Sequence, residues 1–381
     1  MRPIQDATEH LSRAKRNITL AVVEIERTHE YFRISSMCYD VINAGIKSRS
    51  YTEFFDAMER LSSARKFFIA HREIKSSGTA IMNIDQLLKR ALNMCLAEMQ
   101  SLLELCGDSV EFTEGAYQGV NPMEDEIAES FHELSTTLNN NNEMGYFEAY
   151  STVRIDNIRK QLDSSLRHLG LAGTGGKVLL AMDGIAPMNV PYVPGSHPLQ
   201  QYYTLAVEIL AGEELMWAFA FPNDSSEENL TCFANIVHFV VSELAQVLTA
   251  VSRDSKESAK RAGVLSQSNA LLLRLDLMDL LLSRYDELKE HAALGNGQPN
   301  TGAADHNRAY AELLQLRSQL VETSMGSATD MLEGVILGMG PLSSAQDTCD
   351  LHPVTGHVLH CAKELATFKS VYGRVYIIFV S

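Results

Sequence analysis

Cys349, His352, His357, His360 and Cys361 crowd into one short stretch, and thiolates and imidazoles are ligands that zinc favours. Their order matches no zinc finger, and the last three would come from a single helix with His360 and Cys361 pointing in different directions, so a metal site is not expected. The stretch 170–177, GLAGTGGK, approaches a phosphate-binding loop, but five residues rather than four separate Gly170 from Gly176-Lys177. Val178 stands where a hydroxyl would hold magnesium, and no strand leads into the loop, so a linker is the better reading. No glycine-flanked nucleophile elbow, HExxH, paired-carboxylate motif or dinucleotide fingerprint occurs. The residues that could do chemistry therefore point away from an enzyme, and no cofactor is expected.

What the chain does carry is helical periodicity. From Ile4, apolar side chains recur at every seventh position through Leu11, Ile18, Ile25 and Phe32 to Tyr39. Ala7, Ala14 and Ala21 hold the other seam position, and Ile42 closes the run before Asn43-Ala44-Gly45. A helix of about 40 residues is about 60 Å long, more than a small domain uses internally. Such a seam packs either on later helices of the same chain or on another chain, and its length favours the second. Ile4, Leu11, Ile18, Ile25 and Phe32 are the expected knobs of a coiled coil with a partner.

Further helices are expected over 51–71, with Tyr51, Phe54, Met58, Leu61 and Phe68 on one face, and from Ile84 through Leu88, Ala91, Cys95, Leu102 and Leu105 to a stop near Gly107. Asn121-Pro122 reads as a cap followed by proline at a first helical position, continued by Ile127, Phe131, Leu134 and Leu138 and ended by the polar run Asn139 to Asn142. Over 145–170, Tyr150, Ile155, Ile158, Leu162, Leu166 and Leu169 form an apolar stripe, with Arg154, Asp156, Arg159, Lys160, Asp163 and Arg167 assigned to the opposite side. A Gly/Pro-rich linker over 171–199 follows, and then helical spacing over 200–221, 225–251, 264–290, 305–334 and 353–372. The expected organisation is a coiled-coil helix over 1–45, a helical bundle over 46–170, the linker, a second helical block over 200–374, and an atypical apolar tail, VYIIFV, within 375–381.

The net charge of -16 and pI near 5.2 argue against a nucleic-acid partner, whose phosphates the overall field would repel. The only tight basic cluster near a terminus, Arg13, Lys15 and Arg16, is offset by Glu24, Glu26 and Glu30 and reads as a solvated helix face. The six cysteines form no CxxC pair and suit free thiols in a reducing compartment. No signal peptide and no window apolar enough to span a bilayer is expected, so Asn229-Leu230-Thr231 reads as a chance glycosylation sequon and the chain as cytosolic.

The central helix resembles a segment of the 70-kDa exocyst subunit family, exocyst complex component 7. That family carries an aromatic, a Tyr, a hydrophobic-Arg pair and then leucines, positions that here fall on Tyr146, Tyr150, Val153-Arg154, Ile158 and Leu162. Blocks over 31–103 and 201–289, and the segment His352-Pro353 with Thr355 and Val358, agree in order. The resemblance implies an all-α fold, an N-terminal coiled-coil helix followed by an elongated rod of stacked helical bundles. It also implies a non-enzymatic subunit that helps tether secretory vesicles to the plasma membrane before fusion. Its partners would be other exocyst subunits, especially component 8, small GTPases of the Rho class, and acidic phosphoinositides; its location would be the cytoplasm and the plasma-membrane periphery. The chain stops where the family continues into bundles bearing a basic C-terminal surface, so a shortened form is expected. Lipid binding would then be weak, because each Lys or Arg near a membrane adds only about 1 kcal/mol. The alternative is a generic helical adaptor or small-GTPase effector outside the exocyst.

Overall fold

Ten helices and one two-stranded hairpin occupy the described residues of the computed structural model, which are 2–46, 50–169, 199–222, 226–260, 264–294 and 308–338 with positions 193, 195–197 and 363. The expected all-α class is what forms. Most of the linker over 171–199, the helix over 353–372 apart from Lys363, the Cys349 to Cys361 stretch, GLAGTGGK and VYIIFV lie outside the described residues.

Contacts group Met1–Glu104 with Glu129–Ala149, and Leu105–Ala128 with Tyr150–Ser381. The division falls inside the central helix rather than at the expected linker.

The first unit opens with α1 (Arg2–Ala44), α2 (Tyr51–Ala70) and α3 (Ser77–Leu105). Ser50 accepts a hydrogen bond from the Glu53 amide at 3.4 Å, a capping-box start three residues ahead of a glutamate. Phe54, Met58, Leu61 and Phe68 are buried as their spacing requires, alongside Ile84, Leu88, Ala91, Cys95 and Leu103 from α3. The Cys95 thiol lies 3.9 Å from the Met58 sulfur, and burial pushes its pKa up to about 12, so it packs rather than reacts.

The next helix, α4 (Asp125–Asn140), starts later than Asn121-Pro122 suggests. The Asn121 side-chain oxygen accepts from the Met123 amide at 3.1 Å, a local turn that competes with helix, and Met123 is buried. The helix ends in the asparagine run, where Asn142 adopts a left-handed backbone at φ 57. Helix α5 (Gly145–His168) then begins.

The second unit holds most of α5 together with α6 (Gln200–Ala220), α7 (Glu227–Lys260), α8 (Val264–Ser283), α9 (Tyr285–Leu294) and α10 (Arg308–Gly338). Two of the expected helices differ here. The run expected over 264–290 breaks at Arg284, whose guanidinium binds Glu208 of α6 at 2.8 Å and Glu287 of α9 at 2.6 Å. And α7 does contain a window within Glu227–Arg253 that is long and apolar enough to cross a membrane, contrary to expectation. Half of that window is buried: Phe233, Ile236, Val237, Val240, Val241, Leu244 and Leu248 pack inside a layer of α6, α8, α9 and α10, which demands apolar residues on more than one side. Asn229 is fully buried, its side-chain oxygen accepting from the Trp217 indole at 2.8 Å, so the sequon serves a core hydrogen bond.

The hairpin, β1 (Val110–Thr113) and β2 (Ala116–Gly119), has no counterpart in the helical reading. Its turn residues, Glu114 at φ 53 and Gly115 at φ 87, are both left-handed, as a two-residue type I′ turn needs. It sits on α6 through two glycines. A side chain at Gly212 would overlap the Ser109 carbonyl, and a Cβ at Gly119 would lie 2.7 Å from the Glu208 carbonyl. The Gly119 amide also donates to the Glu208 carboxylate at 3.1 Å.

Candidate partner-binding helix and the buried arginine

Helix α1 is about 65 Å long at 1.5 Å per residue, and only its carboxyl end is packed. Arg27 lies over the Phe67 ring at 5.8 Å, Tyr31 stacks on Phe67 at 4.1 Å, and Phe32 meets Phe68 at 4.6 Å. Beyond them Cys38, Ile42 and Ile46 are buried. Residues 8–27, by contrast, are all exposed.

Among the expected seam residues, Leu11 is 71% exposed, Ile18 65% and Ile25 67%, whereas Phe32 is half-buried against α2 of its own chain. Phe32 is therefore corrected from intermolecular knob to intramolecular anchor. The seam changes role near Arg27 because the α2 aromatics reach that far and no further. Ile4 lies on α1, with its side chain outside the described residues. Periodicity alone did not single out Leu20, Val22 and Val23, which are also exposed. Leu20 and Val23 lie on the side of α1 away from the seam, so the stretch 18–25 is apolar nearly all round.

The motif residues on α5 lie elsewhere. Tyr150, Ile158 and Leu162 are buried, and Val153 is half-buried. His352, Pro353 and Thr355 fall outside the described residues. Arg154, assigned to the polar side of α5, is fully buried instead. Its Nε donates to both Glu213 oxygens at 3.2 and 3.0 Å, Nη2 donates to Oε1 at 2.6 Å, and Nη1 reaches the Gly107 carbonyl at 3.3 Å. Glu213, on α6, is also fully buried. Burial works against the guanidinium's charge, but attraction and hydrogen bonding from Glu213 outweigh it and raise its pKa. Beside the pair, burial and then Glu213 push the Tyr150 hydroxyl well above the usual phenol range, and burial pushes the Cys232 thiol up to about 12. These groups stay neutral around a paired charge. The arrangement is a fork-shaped clamp between α5, α6 and Gly107 in the segment leading into the hairpin, with structural rather than catalytic chemistry. Among the described residues, no group of His, Cys, Asp or Glu is placed to hold a metal.

Residues 21–105, the carboxyl half of α1 with α2 and α3, match the family described as exocyst complex component Exo70 N-terminal. The fold of the chain also superposes on solved exocyst structures. A chain from the structures of exocyst subunit Exo70p and the Exo84p C-terminal domains matches with a TM-score of 0.59 at 12% identity, covering 92% of this chain and 54% of that one. The S. cerevisiae exocyst component Exo70p matches with a TM-score of 0.54 at 11% identity, covering 90% of this chain and 57% of that one. The chain thus carries an Exo70-type N-terminal region over residues 21–105 on a fold shared with solved exocyst chains. It spans about half the length of the solved Exo70p structures it matches, which at such identity speak for the fold. No curated protein matches it at the level of sequence. The Exo70 family match begins at residue 21, so it takes in Ile25 and the aromatic anchors of α1 but not Leu11 or Ile18.

Proposed function

We propose that this chain is a member of the Exo70 family and a non-enzymatic subunit of the exocyst, helping tether secretory vesicles to the plasma membrane before fusion, and that α1 is its assembly element. The observation that carries this is the uncovered apolar stripe Leu11, Ile18 and Ile25 on a helix continuous with the Exo70-type region. Burying each of these side chains is worth about 1.5–3 kcal/mol, enough together to offset a large part of the cost of association. The apolar residues on both sides of 18–25 suit insertion among two or more partner helices better than a two-stranded pairing. On this reading the partners are other exocyst subunits, component 8 foremost, with Rho-class GTPases as further ligands. The chain works in the cytoplasm and at the periphery of the plasma membrane, and its net charge of -16 makes its own contribution to anionic lipid binding small.

The test is a tagged chain carrying Ile18→Asp and Ile25→Asp together, expressed in cells and purified with whatever binds. Both sites are exposed, so helical signal should stay intact while other exocyst subunits are lost from the purification. Retention of the full complex by the double variant would reject α1 as the assembly element. Co-purification of wild type with unrelated proteins alone would favour an adaptor outside the exocyst.

A further inference from the structure

We propose that the outer edge of β1 takes an extended, basic segment of a partner protein as a third strand. The hairpin's antiparallel register pairs Val110 with Gly119, Glu111 with Gln118, Phe112 with Tyr117 and Thr113 with Ala116. The Val120 amide donates to the Ser109 carbonyl at 2.8 Å, and this phase places Ser109, Glu111 and Thr113 at the hydrogen-bonded positions of the ladder. The main-chain groups of Val110 and Phe112 therefore point away from β2. It is β2 that lies chiefly over α6, which leaves β1 as the uncovered edge. A two-stranded ribbon with one such edge is a template for another strand.

Side chains on this edge select what can pair with it. Val110, Phe112, Tyr117 and Gly119 share the face turned toward α6, but Phe112 overhangs it: the ring is 65% exposed and touches Tyr117 at 5.1 Å between centroids. Glu111 projects from the other face. The whole segment 105–128 carries Asp108, Glu111, Glu114, Glu124, Asp125 and Glu126, all exposed, and no lysine or arginine. A strand reading apolar, basic, apolar would set its apolar residues beside Val110 and Phe112 and its cation beside Glu111. Opposite charges on neighbouring strands stabilise pairing and like charges oppose it. The same carboxylates argue against a second copy of this chain pairing edge to edge, since Glu111 and Glu114 would face their own kind. The occupant is thus a different protein with a basic, β-prone segment.

The experiment uses the full chain and an acetylated, amidated peptide of alternating valine and lysine. Binding is followed by fluorescence anisotropy, and amide hydrogen exchange locates it. Salt-sensitive binding is expected, with new protection at the Val110 and Phe112 amides. Phe112→Pro deletes an outward N–H without removing a ladder bond, and with Glu111→Lys as a second variant each should weaken binding at least tenfold while the Val120 amide stays protected. Equal binding by wild type and Phe112→Pro would overturn the proposal, as would equal binding of the peptide N-methylated at alternate residues, which keeps the charge but cannot pair. A concentration-dependent dimer of wild type that Phe112→Pro abolishes would overturn it in favour of a second copy.

Discussion

Replacing Glu213 by Gln tests the buried clamp most directly. The change keeps the volume and one acceptor oxygen but leaves the Arg154 guanidinium charged, fully buried and facing an amide. Removing one partner of a buried pair costs about 3–5 kcal/mol, because the remaining charge has lost its counter-ion without regaining water. Converting both residues to apolar ones, Arg154→Met with Glu213→Leu, removes both desolvation penalties and should lie within about 1–2 kcal/mol of wild type, or above it. The chain's one tryptophan, Trp217, stacks on Phe233 at 4.7 Å in the same unit, so its fluorescence reports on that unit alone. With a urea dependence of about 2–3 kcal/mol per molar, the single change should lower the midpoint by about 1–2.5 M. The double change should restore most of it. A midpoint shift under about 0.3 M for Glu213→Gln, or a double variant as unstable as the single, would show that the pair is not under the stress its burial implies.

Other consequences follow from particular residues. His197 is buried and accepts the Leu199 amide on Nδ1 at 3.1 Å, and burial lowers its pKa from 6.5 to about 4. Between about pH 6.5 and 4 the unfolded chain binds a proton that the folded chain refuses, so stability falls as pH drops through that window, by about 3 kcal/mol in all. His197→Asn keeps the acceptor and should flatten that part of a urea-midpoint profile; an unchanged profile would count against His197 as its source. Gly212→Ala should destabilise by about 2–3 kcal/mol despite the usual helical gain of about 1 kcal/mol from replacing glycine, since the added methyl meets the Ser109 carbonyl. Loss of exchange protection at Val120 would mark the unseated hairpin. Leu11→Ala alone should leave the isolated chain's unfolding unchanged within about 0.5 kcal/mol, because the residue is 71% exposed; a larger loss would mean that α1 is packed on its own chain.

Much of the helical order was legible because apolar spacing survives wherever one face is buried. Phe54, Met58, Leu61 and Phe68 on α2 and Ile158, Leu162 and Leu166 on α5 all turn inward as their spacing requires. The readings that failed did so where a second interaction competes with periodicity. Arg154 has the chemistry of a surface residue, and only Glu213, distant in sequence and on another helix, makes its burial tolerable. Arg284 interrupts a continuous helical pattern through partners on α6 and α9 that local spacing does not contain. The hairpin was readable in retrospect from Val110, Phe112 and Tyr117 alternating around Glu114-Gly115, a signal too short to stand out between long helices. Of the expected seam, Leu11, Ile18 and Ile25 kept their exposure, while Phe32 was claimed by Phe68, a contact that no heptad count could reveal.

Among the described helices that are apolar on more than one side, α7 and α1 meet opposite fates. In α7 the all-round apolar stretch is surrounded by α6, α8, α9 and α10, so its composition is matched by its surroundings. In α1 the stretch from Ile18 to Ile25 has the same character, and Ile18, Leu20, Val22, Val23 and Ile25 all remain exposed. A helix of this kind alone in water gains little from its own packing, since tertiary burial rather than propensity supplies most helical stability. Its ordered form should therefore be strongly coupled to whatever covers it. Residues 8–27 of the isolated chain should exchange their amides far faster than α2 or α3, and should gain protection when an assembly partner is added. Equal protection in the isolated chain would mean that α1 is stable without cover, and the physical reason for assigning it a partner would be gone.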